Sequence, residues 1–272
     1  MSVEYTFNAS AVGIGGEYTQ GGQKIVVPSL ASVALASTGG IGEAVVNGFS
    51  SAAVTFDSAV SRVSGRSAVV GGEVVFTTES EIVIKGLTVF NKLSVKTLRA
   101  MVTSTRIGRP GLDEGTFSIN AEYDGVLVDE CPVTPAIDDE RCKANYQWHH
   151  DAVKAGQGPA FAAGGAAKLD AVSAQRGDVV RTSVVKQLPV RLLPGTLVQT
   201  DGSNILTVPG LGRIFFGELL VKRGKRRVSL MRIELGRPAG ETDRTTMEYV
   251  ADSGMLSIGS GDGNGEPIWP NK

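Results

Sequence analysis

From Val74 to Arg106 the chain runs without a proline and with a single glycine, Gly86, and no other strand-like stretch in the sequence is as long. Leu98, Ala100 and Val102 alternate with Arg99, Met101 and Thr103. Successive side chains on a strand point to opposite faces, so this spacing makes one buried apolar face. Ile82-Val83-Ile84 is a continuous apolar run, as in a strand covered on both sides. Gly86 then interrupts the pattern before Leu87 and Val89, the mark of a bulge or bend. The block predicts two or three consecutive antiparallel strands at the centre of a β domain.

Thr116–Tyr123 carries the same signal, with Phe117, Ile119, Ala121 and Tyr123 on one face. Asp124-Gly125 follows, then Val126-Leu127-Val128, which predicts a hairpin with a type I′ turn at the Asp-Gly pair. Gly48, Gly86 and Gly125 each precede an apolar residue at intervals of 38 and 39 residues, and Asp201-Gly202 falls 77 residues beyond Gly125. This is either a degenerate β repeat of the kind that builds stacked sheets or chance recurrence in a chain with 35 glycines.

Further strands are predicted at Val3–Phe7 and at Lys24–Val27 and Ser32–Leu35 on either side of Pro28. Two more lie within Val45–Val63, and others at Val179–Val185, Val190–Leu193, Ile205–Val208, Arg213–Val221 and Val228–Leu235. From Cys131 to Asp178 the alternation stops. Pro132, Pro135, the acidic Asp138-Asp139-Glu140 and an Ala/Gly tract mark an irregular insertion, in which Ala144–Ala155 reads as one short helix. Residues 239–272 are polar and glycine-rich and read as a mobile tail. The expectation is an all-β, antiparallel sandwich or stacked-sheet architecture, residues 1–238, with its long insertion at 131–178.

Composition narrows function mainly by exclusion. At 272 residues, 42% apolar and 20% charged, the chain can bury a full core. A net charge of −1 supplies no global attraction to nucleic acid or membrane. No segment is long and apolar enough to span a bilayer, and Met1-Ser2-Val3-Glu4-Tyr5 lacks the basic and apolar regions of a secretory leader. The readings left open are a cytoplasmic chain, one exported without a leader, and one whose leader has been removed. Cys131 and Cys142 pair in an oxidising compartment and stay thiols in a reducing one.

Four stretches imitate known sites and miss their geometry. Gly39, Gly40 and Gly42 do not fit a dinucleotide fingerprint. His149 and His150 are adjacent, so in any regular element they diverge, and no paired cysteines complete a zinc site. Gly48-Phe49-Ser50-Ser51-Ala52 lacks the second glycine of a nucleophile elbow. Asp262, Asn264 and Glu266 alternate as in a calcium loop, without the glutamate at the twelfth position. No catalytic residue, metal or cofactor is assigned.

The sharpest local signal is Lys222-Arg223-Gly224-Lys225-Arg226-Arg227, five cations around one glycine between two apolar strands. It reads as a hairpin tip presented to an acidic polymer or an acidic protein surface, or as a solvated turn whose charges protect a sheet edge.

Ile84–Thr103, Gly115–Val128 and Leu206–Leu219, the last reading LTVPGLGRIFFGEL, resemble bacterial surface-protein domains of the choice-of-anchor P family. The resemblance implies an extracellular β domain and carries over no catalytic residue. Together these readings point to a non-enzymatic structural or interaction protein, contacting another protein or an acidic polymer through Lys222, Arg223, Lys225, Arg226 and Arg227, with self-association left open. The alternatives are a polyanion-binding module and a carboxylate-based hydrolase, since carboxylates leave no spacing signature. Two facing carboxylates in a cleft would favour the hydrolase.

Overall fold

The computed structural model describes residues 4–108, 115–155, 179–191, 199–200, 204–236 and 249–268. In chain order these form β1 (Glu4–Gln20), β2 (Gln23–Ala34), β3 (Gly40–Ser50), β4 (Val54–Val70), β5 (Glu73–Val89), β6 (Leu93–Ile107), β7 (Thr116–Asp124), β8 (Val126–Val128), β9 (Cys131–Val133) and β10 (Ala136–Ile137). Helices α1 (Asp139–Lys143) and α2 (Tyr146–Lys154) follow. The remaining strands are β11 (Val180–Ser183), β12 (Val185–Gln187), β13 (Gln199–Thr200), β14 (Ile205–Val208), β15 (Gly212–Lys222), β16 (Lys225–Leu235) and β17 (Ser253–Ile268).

The strands build two large antiparallel sheets. Sheet A runs β13-β14-β15-β16-β17-β1-β2, with β11 also on β15. Sheet B runs β3-β4-β5-β6-β8-β9, with β7 also on β6. Strands β1 and β17 pack across β4, β5 and β6, and Ala9, Ala11, Ile14 and Ile258 share one core with Ala59, Ile82, Ile84, Leu98 and Val102. The expected all-β antiparallel sandwich is observed. The Val74–Arg106 block is β5 and β6 at the middle of sheet B, and Phe117, Ile119 and Ala121 are buried with Leu98, Ala100 and Val102. Tyr123 packs at the margin of this core and donates its hydroxyl to the Leu230 carbonyl at 2.8 Å. Val83 is half-buried, so β5 is covered on one face rather than two.

Both sheets are creased across their strands. In sheet B, Gly48 on β3 lies opposite Asp57 on β4, Asp57 opposite Gly86 on β5, Gly86 opposite Lys96 on β6, and Lys96 opposite Gly125 beyond β7. The three glycines have φ of 71, 65 and 63°, the left-handed region that costs an L side chain about 1–2 kcal/mol. The register runs through each glycine unbroken, one residue facing one, and the buried positions change parity there. In β5 they are Phe76, Thr78, Ser80, Ile82 and Ile84 before the crease, and Leu87 and Val89 after it. Sheet A has a matching line through Gly217, Leu230, Gly259, Gly13 and Ala31, with φ of 61, 64 and 47° at Gly217, Gly259 and Ala31. The recurrence of Gly48, Gly86 and Gly125 thus corresponds to one row across a sheet, and Gly202 lies outside the described residues.

Several expectations are corrected. Asp124-Gly125 is not a hairpin: β7 and β8 both pair with β6, and the glycine creases an otherwise continuous path. The turn comes later, between β8 and β9, where Asp129 and Glu130 both take positive φ. The strand predicted at Val3–Phe7 extends through Gln20, because pairing with β17 on one side and β2 on the other satisfies the backbone of its glycines. Lys24–Val27 and Ser32–Leu35 are parts of one strand, β2, which tolerates Pro28 because it lies at a sheet edge.

The stretch read as a mobile tail holds β17, which lies between β1 and β16 inside sheet A. Its Gly-Asp-Gly-Asn-Gly run is a period-two strand whose inward positions are glycines. A Cβ on Gly261 would come within 3.0 Å of Ile82 and Ser80, and one on Gly265 would collide with Tyr5. Gly261 records close approach of the two sheets, and Gly265 the Tyr5 side chain laid over it from β1, rather than flexibility. The 131–178 insertion contains β9, β10 and both helices, and its residues 156–178 lie outside the described residues. Cys131 and Cys142 are free, buried thiols.

Candidate functional site

The basic segment is a hairpin turn. Lys222 closes β15, Lys225 opens β16 opposite it, and Gly224, with φ of 70°, takes the left-handed position between them. The turn is clamped from three sides. Arg106 on β6 donates to the Gly224 carbonyl at 3.3 Å. Lys225 reaches Asp262 on β17 at 3.1 Å, and the other oxygen of Asp262 accepts from the Ser10 amide at 2.7 Å and its hydroxyl at 2.9 Å. Asp262, which resembled part of a calcium loop, ties three strands together.

Arg226 is the main clamp and is only 1% exposed. Its guanidinium stacks over Phe117 at 4.3 Å and donates to the carbonyls of Lys222 at 2.7 Å, Lys225 at 3.1 Å and Ala144 at 3.4 Å. The expectation that all five cations face a partner is therefore corrected. Strand alternation explains why: Val228 and Leu230 point inward from β16, so Arg226 does too. Lys222, Arg223 and Arg227 are exposed. Arg223 lies 5.7 Å from the Tyr146 ring, and Lys222 and Arg227 have no ion-pair partner among the described residues.

The two helices abut this turn. Asp138 caps α1 by accepting from the Arg141 amide at 3.1 Å, and Asn145 caps α2 by accepting from the Trp148 amide at 2.8 Å. Between them and the start of β7 opens a cleft of about 570 Å³ lined by Thr116, Phe117, Glu140, Lys143, Asn145 and Trp148. Sequence reasoning missed this aromatic and cationic surface because its parts are far apart in the chain. Beneath it His149 is buried, and neither ring nitrogen has a hydrogen-bond partner among the described residues. Burial, then the charges of Arg226 and Arg141, lower its pKa to about 4. Burial raises the Cys142 thiol to about 12, with Asp138 and Asp139 adding to the shift, which leaves it an inert thiol at neutral pH.

A second cleft, of about 410 Å³, lies on the outer face of sheet A. Glu218 and Glu234 both line it, with Arg232 between them. Arg232 bonds Glu218 in a two-pronged arrangement at 2.6 and 3.0 Å and bonds Glu234 as well. Burial alone would lower the pKa of Arg232, and the bonds to Glu218 and Glu234 outweigh it, so the net direction is upward. Ser229, Ser257 and Ser260 form a hydroxyl triangle beside them, with edges of 2.8, 3.1 and 3.4 Å. Among the described residues no cluster of His, Cys, Asp and Glu could hold a metal ion, and no helix is long and apolar enough to cross a membrane.

One family model matches, over residues 5–222, and its description is a domain of unknown function (DUF8256). The match stops at Lys222, the last residue of β15, whereas β16 and β17 complete sheet A beyond it. No curated protein and no solved structure matches the chain.

Proposed function

Since the chain belongs to the DUF8256 family of unknown function, any reading must come from its own geometry, and we propose a non-enzymatic β module that contacts an acidic polymer through the β15–β16 turn. The observation that supports this is the division of labour among the turn's cations. Arg226 and Lys225, with Arg106 from the opposite sheet, fix the turn in place, which leaves Lys222, Arg223 and Arg227 in water on a rigid support. Cations held in this way lose little further freedom on binding, so more of their attraction appears as affinity. In the adjoining cleft Trp148 adds an aromatic face, and the charges of Lys143 and Glu140 offset one another.

The test is to change Lys222, Arg223 and Arg227 together to Ser and to leave Arg226 and Lys225 in place. Heparin and a DNA duplex serve as probes. With about three contacts of counterion-releasing type, wild-type affinity should fall roughly fortyfold between about 50 and 200 mM salt. The triple variant should lose binding with its melting temperature unchanged. Absence of salt-sensitive binding in the wild type, or equal binding by the variant, refutes the proposal.

A carboxylate hydrolase is the second reading, favoured by Glu218 and Glu234 sharing a cleft. It is the weaker of the two. The guanidinium of Arg232 stands between the carboxylates and engages both, where hydrolysis would need one of them to carry a proton and the other to face a water.

A further inference from the structure

A sheet with free edges must protect them or pair them, because an edge presents unpaired N–H and C=O groups to any other strand. Most strand edges among the described residues are guarded. On sheet A, β2 carries Pro28 and a left-handed kink at Ala31, and at the far end β13 is only two residues long. On sheet B, β9 is three residues long with Pro132 at its centre, and β7, paired to β6 alone among the described residues, packs against α1. The edge at β3 is different. It runs for eleven residues from Gly40 to Ser50, contains no proline, lysine or arginine, and among the described residues pairs only with β4. Every residue in it is at least partly exposed, including Ile41 at 87% and Val45 at 48%.

The sequence of β3, GIGEAVVNGFS, is close to a palindrome of chemical character about Val45. Ala44 and Val46 flank the centre, then Glu43 and Asn47, then Gly42 and Gly48, and beyond Gly48 the crease turns Phe49 to the inner face and ends the match. An antiparallel strand paired with itself on a two-fold axis sets residues equidistant from that axis opposite one another. With the axis at Val45, the two valines face each other. Each Glu43 faces an Asn47 that can donate to it, and glycines face glycines at both ends. Glu43 is the strand's one charge, and in this register it never meets its own copy.

We propose that β3 pairs with β3 of a second copy of this chain, joining two B sheets into one continuous sheet across a two-fold axis. The outward row Ile41, Glu43, Val45 and Asn47 of each copy then borders the same row of the other. This dimer is independent of the polymer reading, since none of the turn's cations lies on β3.

The experiment is light scattering after size exclusion, over a range of protein concentrations, on wild type, on Val45→Lys, on Val45→Glu, and on an equimolar mixture of the two variants. Val45 is half exposed, so both variants should remain folded, with a melting temperature lowered only by the loss of the dimer. The wild type should be dimeric, each variant alone monomeric through like charges on the axis, and the mixture dimeric again through opposite charges there. A monomeric wild type overturns the proposal. So does a dimer that persists in either single variant, which would place the interface elsewhere, or a mixture that stays monomeric, which would deny the self-pairing of Val45. None of these results bears on heparin binding by the turn.

Discussion

Charged residues lie across both sheets of this sandwich under opposite conditions. On the outer face of sheet B, Glu43, Arg62, Glu81 and Arg99 form a rung on each of four neighbouring strands, linked at 3.3, 3.9 and 2.6 Å and largely in water. On the sheet A side, Arg226 is sealed between β16, Phe117 and the end of α1, and Arg232 is pinned between two glutamates. Exposed pairs trade one solvation for another and contribute about 0–1 kcal/mol each. A buried guanidinium that satisfies carbonyls cannot be removed without leaving those carbonyls unpaired. Solvent access, not the number of ion pairs, decides where charge supports the fold.

The largest test of that contrast is Arg226→Ala. It removes the partner of three carbonyls and opens a void over Phe117, and we expect a stability loss of about 3–5 kcal/mol in urea unfolding. A loss below about 1 kcal/mol would put Arg226 in the same class as the ladder.

Next is the pH response of His149. Its folded pKa is lowered to about 4, chiefly by burial and then by Arg226 and Arg141, whereas the unfolded chain titrates near 6.5. Between these values the unfolded chain binds a proton that the folded chain refuses, so stability falls as pH falls. The decline begins below about pH 6.5, levels off below about 4, and amounts to roughly 3 kcal/mol. His149→Phe should flatten this part of the stability profile. An unchanged slope would show that the acid sensitivity arises elsewhere.

The smallest effect is expected at Arg99→Ala on sheet B. It breaks the 2.6 Å contact with Glu81 yet should cost no more than about 1 kcal/mol, and less at high salt. A cost equal to that of Arg226→Ala would end the comparison.

What the sequence disclosed follows the same division. Alternation in Leu93–Ile107 and Thr116–Tyr123 was readable because one face of each strand is buried and its polar face is not. The identity of Arg226 as a clamp was also readable, since it shares inward parity with Val228 and Leu230, but its charge obscured the pattern. Gly125 was misassigned because a hairpin turn and a crease of this kind both take positive φ, and only the partner strand distinguishes them. Glycine in β17 was read as looseness because its cause lies far off in the chain, in Ile82 and Ser80 on the other sheet and in Tyr5 on the neighbouring strand. The cleft between α1, α2 and β7 was invisible for a similar reason, its parts meeting only when the insertion folds back on the sheet.

The position of β17 also bears on how this protein is made. Sheet B draws its strands from one run, β3 to β9, so its hairpins can close as each emerges from the ribosome. Sheet A cannot do the same. Its two halves, β1–β2 and β13–β16, come from opposite ends of the chain, and the strand that joins them, β17, follows all the others in chain order. Until Ser253–Ile268 has been translated, β1 and β16 each present an unpaired edge lined with backbone donors and acceptors. The nascent chain must carry both until β17 emerges, so that strand removes a hazard of self-aggregation when it pairs.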